Sequence, residues 1–173
     1  MHTRKLALVV MLSTLGGISS VIVGYAGGTM TFVPIGPMVS GQLLAGLHIF
    51  WLALVAIVTR TKGAVSMAGA IKGLVEMLLP NHLGPLVFLI SFLEGLVLDM
   101  VLLPSRSYNS GLVCLAGGLS SAANVLIIQL FLLTNLPFGV YASMYTISFC
   151  SGLLFGGYMS IKTVKSVRKI LQT

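Results

Sequence analysis

Lys72 and Glu76 stand four residues apart in the apolar stretch AIKGLVEMLL. That spacing puts both side chains on one face of a helix. Glu94 and Asp99 lie in the apolar stretch that follows. Ionisable groups inside membrane segments are costly, and by default they mark a solute site, an ion path or a proton relay. Pairing offsets much of the cost but rarely adds net stability. Lys72 has three candidate partners, Glu76, Glu94 and Asp99. The bland reading is an intramembrane charge network of Lys72 and Asp99 with the glutamates that fixes helix register. The sharper one is a carboxylate that meets a cationic or amine-bearing solute.

The elements that must hold these groups follow from composition. The chain has 173 residues, 57% hydrophobic and 8% charged. A soluble domain carries about a quarter charged residues. Long uncharged apolar runs predict an all-α membrane protein. The ten-residue alternating segments of a β-barrel are missing. One domain, 1–173, is expected. The runs place helices over about 6–26, 38–59, 64–79, 86–103, 111–134 and 139–161, with a basic tail over 162–173. The run from Leu6 exceeds a signal-peptide core, so it reads as a retained first helix. The uncharged Gly/Pro-punctuated stretch 27–37, with Met30, Phe32, Val33 and Ile35, reads as a loop over a cavity or at the interface.

Charge sets the topology. The net charge is +7, from ten Lys and Arg against three Asp and Glu. Arg4, Lys5, Arg60, Lys62, Arg106, Lys162, Lys165, Arg168 and Lys169 all fall on one side of a six-helix arrangement. The other side has none. The positive-inside rule then predicts a compact bundle of six transmembrane helices with both termini cytoplasmic, multi-pass in the plasma membrane. The basic tail suits contact with anionic lipid or with a cytoplasmic partner. No aromatic–basic interleaving points to nucleic acid.

Six crossings convert residue number into depth at about 1.5 Å per residue. Glu76 falls about one turn below the outer end, and Lys72 and Glu94 near the middle. Gln42 and His48, Asn124 and Gln129, and Tyr141 and Tyr145 project to the outer half, with Trp51 deeper. Amides and rings of this kind suit a small heteroaromatic ligand in an apolar pocket. Tyr141 fits an interfacial aromatic belt equally well, and His48 a core histidine. Gly16, Ser20 and Gly24 recur every fourth position, a groove for close helix approach within the bundle or for docking another membrane subunit. Cys114 and Cys150 read as small apolar residues, with neither disulfide nor metal spacing. No P-loop, H-E-x-x-H motif or catalytic triad is present, so no enzyme activity, metal or cofactor is expected of this chain.

One family pattern resembles this one. It is carried by Gly36-Pro37 opening helix 2, by R-x-K-G-A-x-x-x-A over 60–68, by G-L-V-E-M-L-L over 73–79 before a turn ending in Gly84, and by Glu94-Gly95 with Asp99 beyond. The chain resembles the substrate-binding S component of energy-coupling factor (ECF) transporters, an ABC-type importer group, and within it the YkoE-like thiamine/hydroxymethylpyrimidine type. Gln42, Ala45 and His48 depart from the family's acidic or aromatic start to helix 2, and Lys72 is also unlike it. The resemblance implies vitamin uptake: a small vitamin or precursor is captured from the outer face. It implies Glu76 on the amine or cationic ring, Glu94 and Gln129 adding hydrogen bonds, and docking through the small residues of helix 1 to a transmembrane T component. Two ATPase subunits would bind the ATP. The alternative is a proton- or cation-coupled carrier or channel using Lys72, Glu76, Glu94 and Asp99 as a relay.

Overall fold

Apolar runs cut by Arg, Lys, Pro and Gly become helices, and the helices pack around the two shortest. The computed structural model describes residues 3–29, 37–81, 83–104 and 109–170, without the side chains of 28–29 and 37–40. Met30, Phe32, Val33, Ile35 and Gly36, His82, Arg106 and the last three residues lie outside the described residues. The described residues are helical, without strands. They form α1 (Thr3–Thr29), α2 (Pro37–Thr59), α3 (Ala64–Leu78), α4 (Leu86–Leu102), α5 (Ser110–Phe131), α6 (Phe138–Ser151) and α7 (Met159–Ile170), with a π-helical segment, Gly152–Tyr158, joining the last two. The expected tail is thus no separate element. Phe138–Ile170 runs on as one helix, because no proline interrupts it.

Among the described residues four helices are long and apolar enough to cross a membrane: Thr3–Gly27, Gly41–Thr59, Ser110–Phe131 and Phe138–Ile170. α3 has 15 residues and α4 has 17, about 22 and 25 Å at the α-helical rise. Those lengths are short of a 30 Å hydrocarbon core. These two form an antiparallel hairpin whose facing stripes recur at helical spacing. α3 buries Val65, Ala68, Gly69, Lys72, Gly73 and Glu76, and α4 buries Ser91, Glu94, Gly95, Leu98 and Asp99.

Glycine lets the hairpin close. A Cβ on Gly95 would stand 2.6 Å from the Val65 carbonyl oxygen, and one on Gly69 2.4 Å from that of Ser91. Backbones this close bring polar side chains on both helices into contact. Gly63 precedes α3 and supplies no capping side chain. Asp99 does so from α4: its Oδ2 accepts from the Ser66 amide at 2.7 Å and the Ser66 hydroxyl at 2.8 Å. A carboxylate there satisfies an orphan donor and complements the helix dipole. Asp99 is therefore a cap that ties α4 to the start of α3.

The described ends sort by charge. Lys5 Nζ donates to Thr61 Oγ1 at 3.2 Å, so the start of α1 lies beside the α2–α3 turn. Arg60, Lys165 and Arg168 share a small cavity with Ser110 at the start of α5. At the other end the α5–α6 turn is held by Tyr141, whose hydroxyl donates to the Leu133 carbonyl and accepts from the Leu136 amide.

Gly95→Ala should lower thermal stability in detergent by about 1–3 kcal/mol through overpacking. Gly111→Ala, whose added carbon meets nothing within 4 Å, should leave it unchanged.

Candidate functional site

Lys72 sits at the centre, with none of its surface exposed. Its Nζ lies 2.8 Å from Glu76 Oε1 and 3.5 Å from Glu94 Oε2. It also donates to Ser91 Oγ at 2.8 Å. The Ser91 hydroxyl in turn donates to Glu76 Oε2. Glu94 Oε1 accepts from Asn124 Nδ2 at 3.2 Å. One continuous network thus joins α3, α4 and α5. Of the three partners open to Lys72, the structure selects Glu76 and Glu94. Asp99 is engaged at Ser66 and belongs to no network with Lys72.

The two carboxylates are held unequally. Glu76 has a close partner on each oxygen, Lys72 and Ser91. Its backbone carbonyl also accepts from Asn81 Nδ2 at 2.8 Å, which closes the C-terminal turn of α3. Glu94 has only the longer contacts, at 3.5 and 3.2 Å, whereas charge-assisted bonds run near 2.7–2.9 Å. Glu94 is the carboxylate with capacity to spare. Two carboxyl groups thus face one ammonium, one more than its charge matches.

The network forms the floor of a cavity of about 260 Å³ among α1 to α5. Of the eight expected solute-contact residues, Gln42, His48, Glu76, Glu94 and Asn124 line it. Gln42 and His48 come from α2, where Ala45 between them keeps the shared face narrow. Gln129, Tyr141 and Tyr145 are not among its lining residues. The Tyr145 hydroxyl donates to Gln129 Oε1 at 2.9 Å, fastening α6 to α5, and Tyr141 closes the α5–α6 turn. The cavity face of α5 carries Asn124 and Ile128, four apart, and Gln129 is turned off it.

Ser91 and Asn81 were not singled out from sequence, and both line the cavity, as does Ser20, expected only in a helix-packing row. Ser91 had a signal: three residues before Glu94, it shares that face of α4. At the rim the Tyr25 hydroxyl donates to the Pro80 carbonyl at 3.2 Å, joining α1 to the α3–α4 turn. Five buried oxygens have no hydrogen-bond partner among the described residues: Glu76 Oε1 and Glu94 Oε2, which face the Lys72 ammonium, and Ser20 Oγ, Gln42 Oε1 and Asn124 Oδ1, which do not. Buried acceptors left unpaired are costly, and each belongs to a residue lining this cavity.

The row Gly16, Ser20 and Gly24 faces the same way. A Cβ on Gly16 would lie 2.9 Å from that of Trp51 on α2. Ser20 and Gly24 line the cavity. Gly17, outside the row, packs against Val75 on α3. Gly16 and Ser20 are thus turned into the bundle, where α1 fits between α2 and α3, whereas Gly24 is exposed at the cavity mouth. The outer face of α1 carries Leu8, Met11, Leu15, Ile18 and Ile22 instead.

Lys72→Met should destabilise the protein by about 3–5 kcal/mol, since it strands two buried carboxylates. Adding Glu76→Gln and Glu94→Gln to it should recover most of that loss. Thermal unfolding of the single and triple variants in one detergent checks both.

Comparison with known proteins follows the architecture. A crystal structure of an S-component of an ECF transporter superposes with a TM-score of 0.88, covering 96% of this chain and 85% of that one. At 23% identity the likeness is one of fold. No curated protein matches. The family model for the permease component of the ABC-type cobalt transport system matches residues 4–125. That span is well over half the sequence and holds every residue of the buried network, and the chain belongs to this family of membrane transport permeases.

Proposed function

We propose that the chain is the membrane-embedded substrate-binding subunit (S component) of an ECF-type importer, capturing a small organic solute in the cavity above Lys72. The observation that carries this reading is the set of buried oxygens on Ser20, Gln42 and Asn124 without a partner among the described residues, in a cavity whose floor sets two carboxyl groups against one ammonium. Such a wall calls for a solute with N–H donors and a positive or amine-bearing group. Glu94 is placed to receive the charge and Asn124 and Gln42 the donors. Thiamine and hydroxymethylpyrimidine, the substrates suggested by the sequence resemblance, have this chemistry in their aminopyrimidine ring. The fold likeness supports the same reading.

The family's printed name speaks of cobalt. Among the described residues no cluster of three or more His, Cys, Asp or Glu side chains could hold a metal ion. The Lys72 ammonium also occupies the space between the two carboxylates, where a divalent cation would have to sit. An organic solute fits this wall better.

The rest of the importer follows from the same reading. The cavity lies away from the basic end, so a cytoplasmic basic end turns the cavity outward. A T component and two ATPase subunits supply the ATP chemistry for which this sequence has no P-loop. The chain itself catalyses no reaction. It sits in the plasma membrane, with the α3–α4 hairpin completing six crossings.

Proteoliposomes containing the chain, its T component and both ATPases should accumulate labelled thiamine or hydroxymethylpyrimidine only with ATP inside the ATPase compartment. Glu94→Gln should reduce uptake about tenfold or more, the scale of a lost charged hydrogen bond. Uptake by the chain alone, driven by a proton or cation gradient, would instead establish a coupled carrier.

A further inference from the structure

At the basic end, α7 lies beside the end of α2 and the start of α5. The wedge between them is a cavity of about 100 Å³. Its rim carries Arg60 at the end of α2 and Lys165 and Arg168 on α7. Ile57 and Val113, both buried, form an apolar floor, and Ser110 opens α5 beside them. We propose that this wedge binds the phosphate of an anionic phospholipid, with the three cations on the phosphate and the apolar floor against the glycerol and upper acyl chain.

Charge supply is the first argument. The chain has only three acidic side chains. Glu76 and Glu94 hold Lys72, and Asp99 caps α3. None of these three acidic side chains is left for Arg60, Lys165 and Arg168, so a counter-anion for that trio is not a carboxylate side chain of this bundle. The second argument is the backbone at Arg60. It adopts φ 47°, the only positive value among the described non-glycine residues. This is the position after a helix that glycine usually fills, because a Cβ there costs about 1–2 kcal/mol. Glycine would end α2 at lower cost, so an arginine here points to a use for its side chain.

The third argument is shape. Ile161, Val164, Lys165 and Arg168 also line the wedge, at the 3–4 residue spacing of one helix face. Lys162, by contrast, rests on the Tyr158 ring, 4.9 Å from its centroid. The start of α5 has no side-chain cap, and a helix N-terminus favours an anion. The wedge lies at the ends of α2 and α5, two of the helices able to cross a membrane, so its level is that of lipid headgroups. An apolar floor at that level selects a lipid phosphate over a soluble one, and basic pockets between helices are a known form of headgroup site.

Native mass spectrometry of the full chain in detergent tests this, with phosphatidylglycerol and phosphatidylcholine of matched acyl chains. Phosphatidylglycerol should bind in preference. Arg60→Gln with Lys165→Gln and Arg168→Gln should weaken it about tenfold. Arg4→Gln with Lys62→Gln and Lys162→Gln, the same charge change outside the wedge, should alter it less than about twofold. Arg60→Gly should keep or raise the melting temperature while weakening phosphatidylglycerol about threefold, and it serves alone should the triple variant not fold. Equal losses in both triple variants, equal binding of the two lipids, or glycerol phosphate binding as tightly as the lipid would each overturn the proposal.

Discussion

A lysine ammonium with no exposed surface can exist in this bundle only because two carboxylates and a hydroxyl surround it. Everything else in the core follows from keeping that arrangement closed. The partners of Lys72 come from its own helix and the next, so α3 and α4 must approach to backbone contact. Gly69 and Gly95 allow the approach, and Asp99, capping α3 through Ser66, fixes its register. The hairpin is too short to be an independent membrane unit. It is held instead by α1, α2 and α5, which wrap the same network and wall the cavity above it.

The network links stability to solute capture. A fully matched buried pair would be inert packing. Two carboxyl groups around one cation leave one of them without a matching charge, and the looser of the two, Glu94, faces the cavity beside the amide oxygen of Asn124, which has no partner among the described residues. Buried acceptors without donors raise the free energy of the empty state, and a donor-rich solute lowers it. Lys72 has a double part in this account. It makes burial of Glu76 tolerable, and it limits the charge available to a solute. The basic end completes the division of labour, with every acidic side chain drawn into the bundle.

Much of this was legible in the sequence, for identifiable reasons. Helix positions follow from apolar runs whose ends carry Arg, Lys, Pro or Gly, and the observed boundaries fall within a few residues of those expected except at the end of the last helix, which runs on to Ile170. The 72/76 spacing places Lys72 and Glu76 on one helix face. Depth along the axis follows from residue number, whereas the exceptions arise from rotation about it. Asp99 lies five residues after Glu94, and Gln129 five after Asn124. Five residues turn a helix about 140° from its starting direction. That offset takes Asp99 away from Lys72 and Gln129 away from the cavity. Ser91, at three residues from Glu94, was visible by the same geometry. The inward turn of Gly16 and Ser20 was not visible, since small residues serve internal and external contacts alike. Nor was the π-helical segment, which depends on tertiary contact: Ser151 Oγ donates to the Leu43 carbonyl and accepts from the Gly46 amide of α2.

The central claim is that the cavity above Lys72 is a solute site, and direct titration of the isolated chain addresses it without partner subunits. Calorimetry of the detergent-purified protein against thiamine, hydroxymethylpyrimidine and a divalent cobalt salt, with Asn124→Leu alongside, is the measurement to make. The account predicts saturable one-to-one binding of an amino-heterocycle, weakened about tenfold or more in the variant, and no saturable binding of cobalt. Heat from cobalt alone, or organic solute binding untouched by Asn124→Leu in folded protein, would contradict it.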